Sequence, residues 1–262
     1  MKILILTSSL YGTASHHFNY LISNNKFTID HVVISKGELN QKKKYFYNKF
    51  KKAFKIGILG ALNGIRMRKW FGRDVDKLLN NKNLAELCIH HNIPFTIVSK
   101  INSDETMNLF MKINPDLGVS LGNGFISKKI FNTPRFGMIN IHHEILPNYQ
   151  NAQSIIWQLF NKSRNTGFTI HKIDSKIDTG EIIYQETVPI IFRKTLSKTI
   201  TITSIELLKK SALGLIKVLE NFEHYHNNSI KQEGGYSYTT PSIKEFYIIY
   251  KNFKILGKAN QL

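Results

Sequence analysis

Three features of the sequence predict an α/β fold: a Rossmann-like, mainly parallel twisted sheet with helices on both faces, plus a small C-terminal extension. Short apolar runs bounded by turn residues alternate with longer stretches whose apolar residues recur every three to four positions. The 262 residues are 42% hydrophobic, enough for a sizeable core, and 21% charged, which excludes global disorder. A single cysteine, Cys88, excludes an internal disulfide framework and a cysteine-built zinc cluster, and makes a reducing, cytoplasmic setting the simplest expectation. No run of about 18 uncharged apolar residues offers a membrane span. The opening MKILILTSS has an apolar run only from Ile3 to Leu6 and reads as a strand, not a leader.

Lys2 to Thr7 is a short apolar run closed by Ser8 and Ser9, as a central parallel strand requires. A helix is expected over Ser15 to Asn24 with Ser15 as N-cap, then a strand over Phe27 to Ser35 ended by Gly37. Val75 to His91 reads as one helix and Pro94 to Val98 as a strand. Ser103 opens a helix carrying Met107, Phe110 and Met111. Asp116 to Leu121 and Gly137 to His142 are strands, with a short helix from Lys128 to Asn132 between them. Gln153 to Asn161 looks helical, and Thr166 to Ile173 and Glu181 to Ile190 are strands joined by a turn. Ser197 to Phe222 has a long amphipathic pattern, and the remainder is expected to be irregular and aromatic-rich. The expected organisation is a main domain over 1–192, with a basic helical insertion at about 42–73, and a helix with an aromatic-rich extension over 193–262.

Lys and Arg number 36 against 18 Asp and Glu, a formal net charge of +18. Such an excess suits nucleic acid, an anionic membrane surface or a phosphorylated small molecule, and equally a lysine-rich surface that is simply solvated. The charge is uneven. Lys42 to Arg73 holds eleven basic residues and no acidic one. Phe46, Phe50, Phe54, Ile58, Leu62 and Ile65 recur there at helical spacing, so an amphipathic helix or helix pair is expected, interrupted near Gly57, Gly60 and Gly64.

Ligands on a doubly wound sheet bind beyond the carboxyl ends of its strands. The strand Gly137 to His142 ends in chemistry: alternation puts Asn140 and His142 on one side and His143 on the other. An amide and an imidazole side by side can both donate to one developing oxyanion, although the same pair can merely cap a strand end. Asp174 to Glu181 reads DSKIDTGE, with turn chemistry at Asp178-Thr179-Gly180. A plain β-turn accounts for it unless the turn folds back onto Asn140 and His142. Asp178 would then orient the imidazole and favour its charged form.

Taken together, Gly137-Met138-Ile139-Asn140-Ile141-His142, the Leu146-Pro147 pair followed by Tyr149, and TGFTIHKIDSKIDTGEII from Thr166 to Ile183 resemble the folate-dependent formyltransferase family. The resemblance is good from about Pro115 to Pro189 and weaker, by order of elements, over Met1 to Phe50. It implies a catalytic domain at 1–192, 10-formyltetrahydrofolate as cosubstrate, no metal, and attack of a substrate amine on the formyl carbon. It places Asn140 and His142 at the oxyanion donors and Asp178 at the family's invariant acid. Asn123, Gly124, Phe125 and Ile126 align with the pterin-contacting loop, and Asp174, Lys176 and Ile177 would close the other side of that pocket. The sequence departs from the family at Gln150, where a basic residue is common, and at Asn151, where a glycine is. Glu144 stands where a serine is common, and His143 is unusual.

The acceptor is set by what surrounds that domain. Glycinamide ribonucleotide enzymes are usually shorter, formyltetrahydrofolate hydrolases carry a domain before the first strand, and methionyl-tRNA enzymes carry a terminal β-barrel. Arg193 to Leu262 reads as too short for such a barrel. The expectation is therefore the amine of a nucleotide-linked amino sugar, of the kind used in lipopolysaccharide or O-antigen biosynthesis, with Tyr236 or Tyr238 able to stack on the base. The alternatives are a tRNA-borne amine, which the basic segment would suit, and a hydrolytic or non-catalytic relative. A homodimer is left open.

Overall fold

In the computed structural model residues 1–36, 57, 59–151 and 154–258 are described. The expectations for Lys42 to Lys55, for Ile58 and for the start of the helix at Gln153 lie outside them. Seven strands form one sheet: β1 (Lys2–Thr7), β2 (Thr28–Ser35), β3 (Phe95–Val98), β4 (Leu117–Ser120), β5 (Met138–His142), β6 (Asn165–Lys172) and β7 (Ile182–Pro189). Their order is β3-β2-β1-β4-β5-β6-β7. Pairing is parallel from β3 through β5; β6 runs antiparallel to β5, and β7 antiparallel to β6. The chain winds outward from β1 to β3 and then returns to the other side of β1 at β4. The order reverses there, which opens the crevice where such sheets bind ligands.

The helices are α1 (Thr13–Leu21), α2 (59–71), α3 (Arg73–Leu79), α4 (Leu84–His90), α5 (Asp104–Ile113), α6 (Lys128–Phe131), α7 (Ile156–Phe160), α8 (Leu196–Glu220), α9 (Phe222–Asn227) and α10 (Ile243–Lys258). Strand alternation splits the core as the pattern of β1 requires. Ile3 and Ile5 pack with Phe18 of α1, Leu84 of α4 and Leu215 of α8, while Leu4 and Leu6 pack with Phe110 of α5 and Ile130 of α6. A third cluster joins Met67 of α2, Leu159 of α7, Ile200 of α8 and Phe253 of α10.

Three expectations are corrected. Helix α1 begins after Gly12, so Ser15 lies inside it and its Oγ donates to the Lys82 carbonyl at 2.6 Å instead of capping. Val75 to His91 is two helices, because Asn80 turns left-handed (φ 51°) and Asn83 caps α4 by accepting from the Ala85 N–H at 2.9 Å. Asparagine side chains offer the backbone such alternatives to helix. The C-terminal extension is not irregular throughout: Ile249, Asn252 and Phe253 give α10 a buried face. The Asn252 amide donates to the last carbonyls of α7, Leu159 at 3.0 Å and Phe160 at 2.8 Å.

Candidate active site

Beyond the ends of β4 and β5 lies a pocket of about 430 Å³, lined on one side by Gly122 to Ile126 and on the other by Ile173, Asp174 and Lys176 to Asp178. Asn140, His142 and His171 also line it. The turn after β6 does fold back: Asp178 Oδ2 stands 3.6 Å from His142 Nδ1. Asn140, His142 and Asp178, separated by up to 38 positions, converge because β5 and β6 pair antiparallel and the turn leaves β6 at the end where β5 begins its pairing.

The turn is fixed from several sides. Asp178 adopts φ 56°, a left-handed conformation that Asp tolerates better than most residues. At Gly180 a Cβ would run into the Lys172 carbonyl, so only glycine lets the turn close on β6. Gln232 of the extension donates to the carbonyls of Asp178 (3.2 Å) and Gly180 (2.6 Å). The Asn151 N–H donates to Asp178 Oδ2 at 3.0 Å, holding the carboxylate itself. Asn151 has φ 51°, so where the family pattern has glycine this chain keeps the left-handed backbone with the side chain best able to adopt it.

His142 Nε2 donates to the Tyr149 carbonyl at 2.9 Å, which fixes the ring and assigns that nitrogen its proton. Its Nδ1 faces Asp178 at a distance too long for a hydrogen bond and is the nitrogen open to a bound group. The sequence reading missed His171. It lies directly opposite Asn140 across the β5–β6 ladder, and its Nε2 accepts from the Asn140 amide at 3.2 Å. His171 Nδ1 donates to the Lys172 carbonyl at 2.8 Å, so the neutral ring presents Nε2 as an acceptor. Burial lowers the His171 pKa, while Asp178, with Oδ1 at 3.7 Å, acts in the opposite direction. The neutral ring thereby fixes which way the Asn140 amide points. The signal was present in the Thr-Ile-His of β6, but reading it required the strand register.

The residues expected at the pterin loop line the pocket, with distinct roles. Asn123 braces the loop: its amide donates to the Leu6 carbonyl (2.6 Å) and Ser120 Oγ (3.0 Å), and its Oδ1 accepts from Ser8 Oγ (2.9 Å). Asp174 closes its own turn, accepting from Lys176 N–H and Thr179 Oγ1. A Cβ on Gly124 would meet nothing within 4 Å, so main-chain groups are open to a ligand. Phe125 and Ile177, each 54% exposed, stand on the two walls. An open backbone edge between two half-exposed apolar side chains fits a flat heteroaromatic ring with hydrogen-bonding edges.

The buried flank of the pocket is also polar. His143 Nε2 and His17 Nε2 lie 3.1 and 3.0 Å from Ser211 Oγ of α8. Burial holds the His143 pKa at about 3 and the His17 pKa well below the usual range, so both rings are neutral near pH 7. Glu144 is buried beside Gln158 of α7, whose amide donates to it, and burial raises its pKa well above the usual carboxylate value. Among the described residues, no cluster of three His, Cys, Asp or Glu side chains could hold a metal, and no helix is long and apolar enough to cross a membrane.

Comparison with known proteins gives a consistent result. The formyl transferase family profile matches residues 68–206, just over half of the chain. A methionyl-tRNA formyltransferase of Trichormus variabilis is 36% identical over 111 residues, covering 42% of this chain and 32% of that protein. One from Rickettsia prowazekii is 34% identical over 146 residues, covering 54% and 46%. The chain thus spans 32% and 46% of the length of these two curated relatives. A solved sugar N-formyltransferase from Shewanella sp. shares the fold over 97% of this chain and 87% of its own, with a TM-score of 0.57 at 17% identity.

Proposed function

The chain belongs to the formyl transferase family, and from that premise we propose that it moves a formyl group from 10-formyltetrahydrofolate to the amine of a nucleotide-linked amino sugar. The observation that carries the transfer chemistry is the meeting of Asn140, His142 and Asp178 at one pocket, with His142 Nδ1 3.6 Å from the carboxylate. When bound, the cosubstrate supplies an activated formyl carbon. Asn140, oriented by His171, keeps an amide N–H for the oxygen that becomes negative as the amine attacks, and His142 in its charged form adds a second donor through Nδ1. Asp178 stabilises that charged imidazole and takes the proton the amine loses, directly or through water. His142 or water returns one to the nitrogen that departs, so the proton count balances. In this reading 1–192 holds the transfer machinery, and 193–262 supplies a wall of the acceptor site.

The acceptor rests on the extension. Residues 236–238 pair with the 147–151 loop, making the C-terminal segment part of the pocket's surroundings. The Shewanella sugar N-formyltransferase has this fold across nearly the whole chain, extension included. A second reading, a tRNA-borne amine, is favoured by the methionyl-tRNA formyltransferases among the relatives. Purified protein incubated with 10-formyltetrahydrofolate, a panel of amino-sugar nucleotides and charged initiator tRNA separates the two. A formylated sugar is expected. Formylated tRNA with untouched sugars replaces the first reading by the second, and no turnover on either sinks both.

A further inference from the structure

We propose that the outward faces of α2 and α10 form a docking surface for an anionic lipid bilayer, on which the chain lies without crossing it. The proposal is independent of which amine accepts the formyl group. Helix α2 is two-sided. Gly60, Asn63, Gly64 and Met67 recur at spacings of three and four on its buried side, while Leu59, Leu62, Ile65, Arg66 and Lys69 lie on the opposite, exposed side. A single exposed leucine is ordinary. Here Leu59 (60% exposed), Leu62 (53%) and Ile65 (61%) join Ile243 of α10 (41%) around one hollow of about 390 Å³, which Asn63 and Arg66 complete.

The two helices hold this face together. A Cβ on Gly64 would come within 2.9 Å of Thr240 Cγ2, so glycine lets α2 lie against the chain that leads into α10. Met67 of α2 then shares one buried cluster with Ile249 and Phe253 of α10. The outward side of α10 extends the pattern. Ile243, Tyr247 and Tyr250 recur there at spacings of four and three, and Lys244, Lys251 and Lys254 are exposed beside them.

Charge decides what fits. Residues 59–73 carry Arg66, Arg68, Lys69 and Arg73 and no acid. In α10 the one carboxylate is Glu245, and it is engaged, accepting from the Ser242 N–H at 2.6 Å. Among the described residues, none of these arginines and lysines forms an ion pair. Aliphatic side chains ringed by unpaired cations match the two layers a bilayer presents, anionic headgroups over the start of the acyl region. Tyrosines suit the boundary between those layers. RNA fits less well: its phosphates need only the cations, and its unpaired bases need aromatic platforms where this hollow offers aliphatic side chains. A second copy of the chain is disfavoured by charge, because a two-fold contact sets the same basic face against itself.

Co-sedimentation of the full chain with vesicles tests this. The chain is expected to pellet with vesicles of phosphatidylcholine mixed with phosphatidylglycerol, less so as salt is raised, and not with phosphatidylcholine alone. The triple variant Arg66→Gln, Lys69→Gln, Arg73→Gln should partition more weakly on the order of 100-fold, since each basic side chain near such a surface contributes about 5-fold. The double variant Leu62→Ser, Ile65→Ser, which leaves the charge unchanged, should weaken partitioning on the order of 10-fold or more. All five side chains are exposed, so both variants should melt at the wild-type temperature, which separates lost docking from a damaged fold. Absence of binding to the anionic vesicles overturns the proposal, as does binding that both variants retain. Transfer RNA that binds and is released by the same substitutions, with vesicles left unbound, overturns it in favour of nucleic acid. A dimer in analytical ultracentrifugation that the double variant splits overturns it in favour of a second copy.

Discussion

Replacing Glu144 with glutamine should stabilise the protein, increasingly so as the pH rises. Glu144 is 1% exposed. Gln158 donates its amide to Glu144 Oε2, yet the Oε1 atoms of both Glu144 and Gln158 are buried without a hydrogen bond. One proton on Glu144 repairs both, because its O–H can donate to the Gln158 carbonyl and close a two-bond acid–amide ring. Burial points the same way, raising the carboxyl pKa well above its ordinary 4.5. The folded chain then holds this proton to higher pH than the unfolded chain does. The contribution of Glu144 to stability is complete below the unfolded value and lost as the pH rises toward the folded one. The loss is about 1.4 kcal/mol per pH unit across that window. A glutamine offers a permanent N–H where the proton sat and does not titrate. Urea denaturation of wild type and Glu144→Gln at unit steps of pH above 5 should show the variant gaining at that slope, with equal m-values. A difference that is flat in pH, or a variant about 1–3 kcal/mol less stable at neutral pH, would refute the protonated pair and indicate a carboxylate held by its hydrogen bond.

The remaining predictions concern the same region. His143 titrates at about 3 in the fold against 6.5 in the unfolded chain, so its contribution is present above pH 6.5 and lost as the pH falls through that window, by about 1.4 kcal/mol per unit. His143→Gln should flatten the acid limb of the stability profile, and an unaltered limb in denaturant titrations between pH 4 and 7 counts against the neutral buried ring. Asn140→Ala and His142→Ala should each lower the single-turnover rate by about 100-fold or more with the fold intact by circular dichroism. Wild-type rates for both would remove the oxyanion mechanism.

How much of this was legible in the sequence depends on whether the information was local. Alternation along β5 placed Asn140 and His142 on one side without reference to any other strand. The Asp-Thr-Gly turn was legible too, but its return onto β5 was not, because that depends on β6 lying antiparallel with His171 opposite Asn140. His171 carried no weight for the same reason: a Thr-Ile-His in a strand says nothing until its cross-strand partner is known. Main-chain groups are silent in a sequence, so the Tyr149 carbonyl that holds His142 and the Asn151 N–H that holds Asp178 could not be read. Asn151 looked like a loss from the family pattern. The structure shows a substitution chosen by backbone conformation, with φ 51° available to Asn nearly as to Gly. The tail helix was obscured because the apolar spacing of its inner face is interleaved with exposed Tyr247, Tyr250 and Ile255.

The net charge of +18 is sharpened rather than explained away. Among the described residues, the charged side chains lining the candidate pocket are Asp174, Asp178 and Lys176, two acids against one base. The basic excess gathers in Lys42 to Arg73, mostly ahead of the region that the family profile matches. The two acceptors therefore predict opposite results for a variant with Lys42 to Lys55 neutralised. A small nucleotide sugar needs only the pocket and its rim, and its turnover should survive. A tRNA acceptor loses phosphate neutralisation along the segment, and its binding should weaken together with its salt dependence. Loss of sugar turnover in that variant would mean that the basic segment belongs to the acceptor site after all.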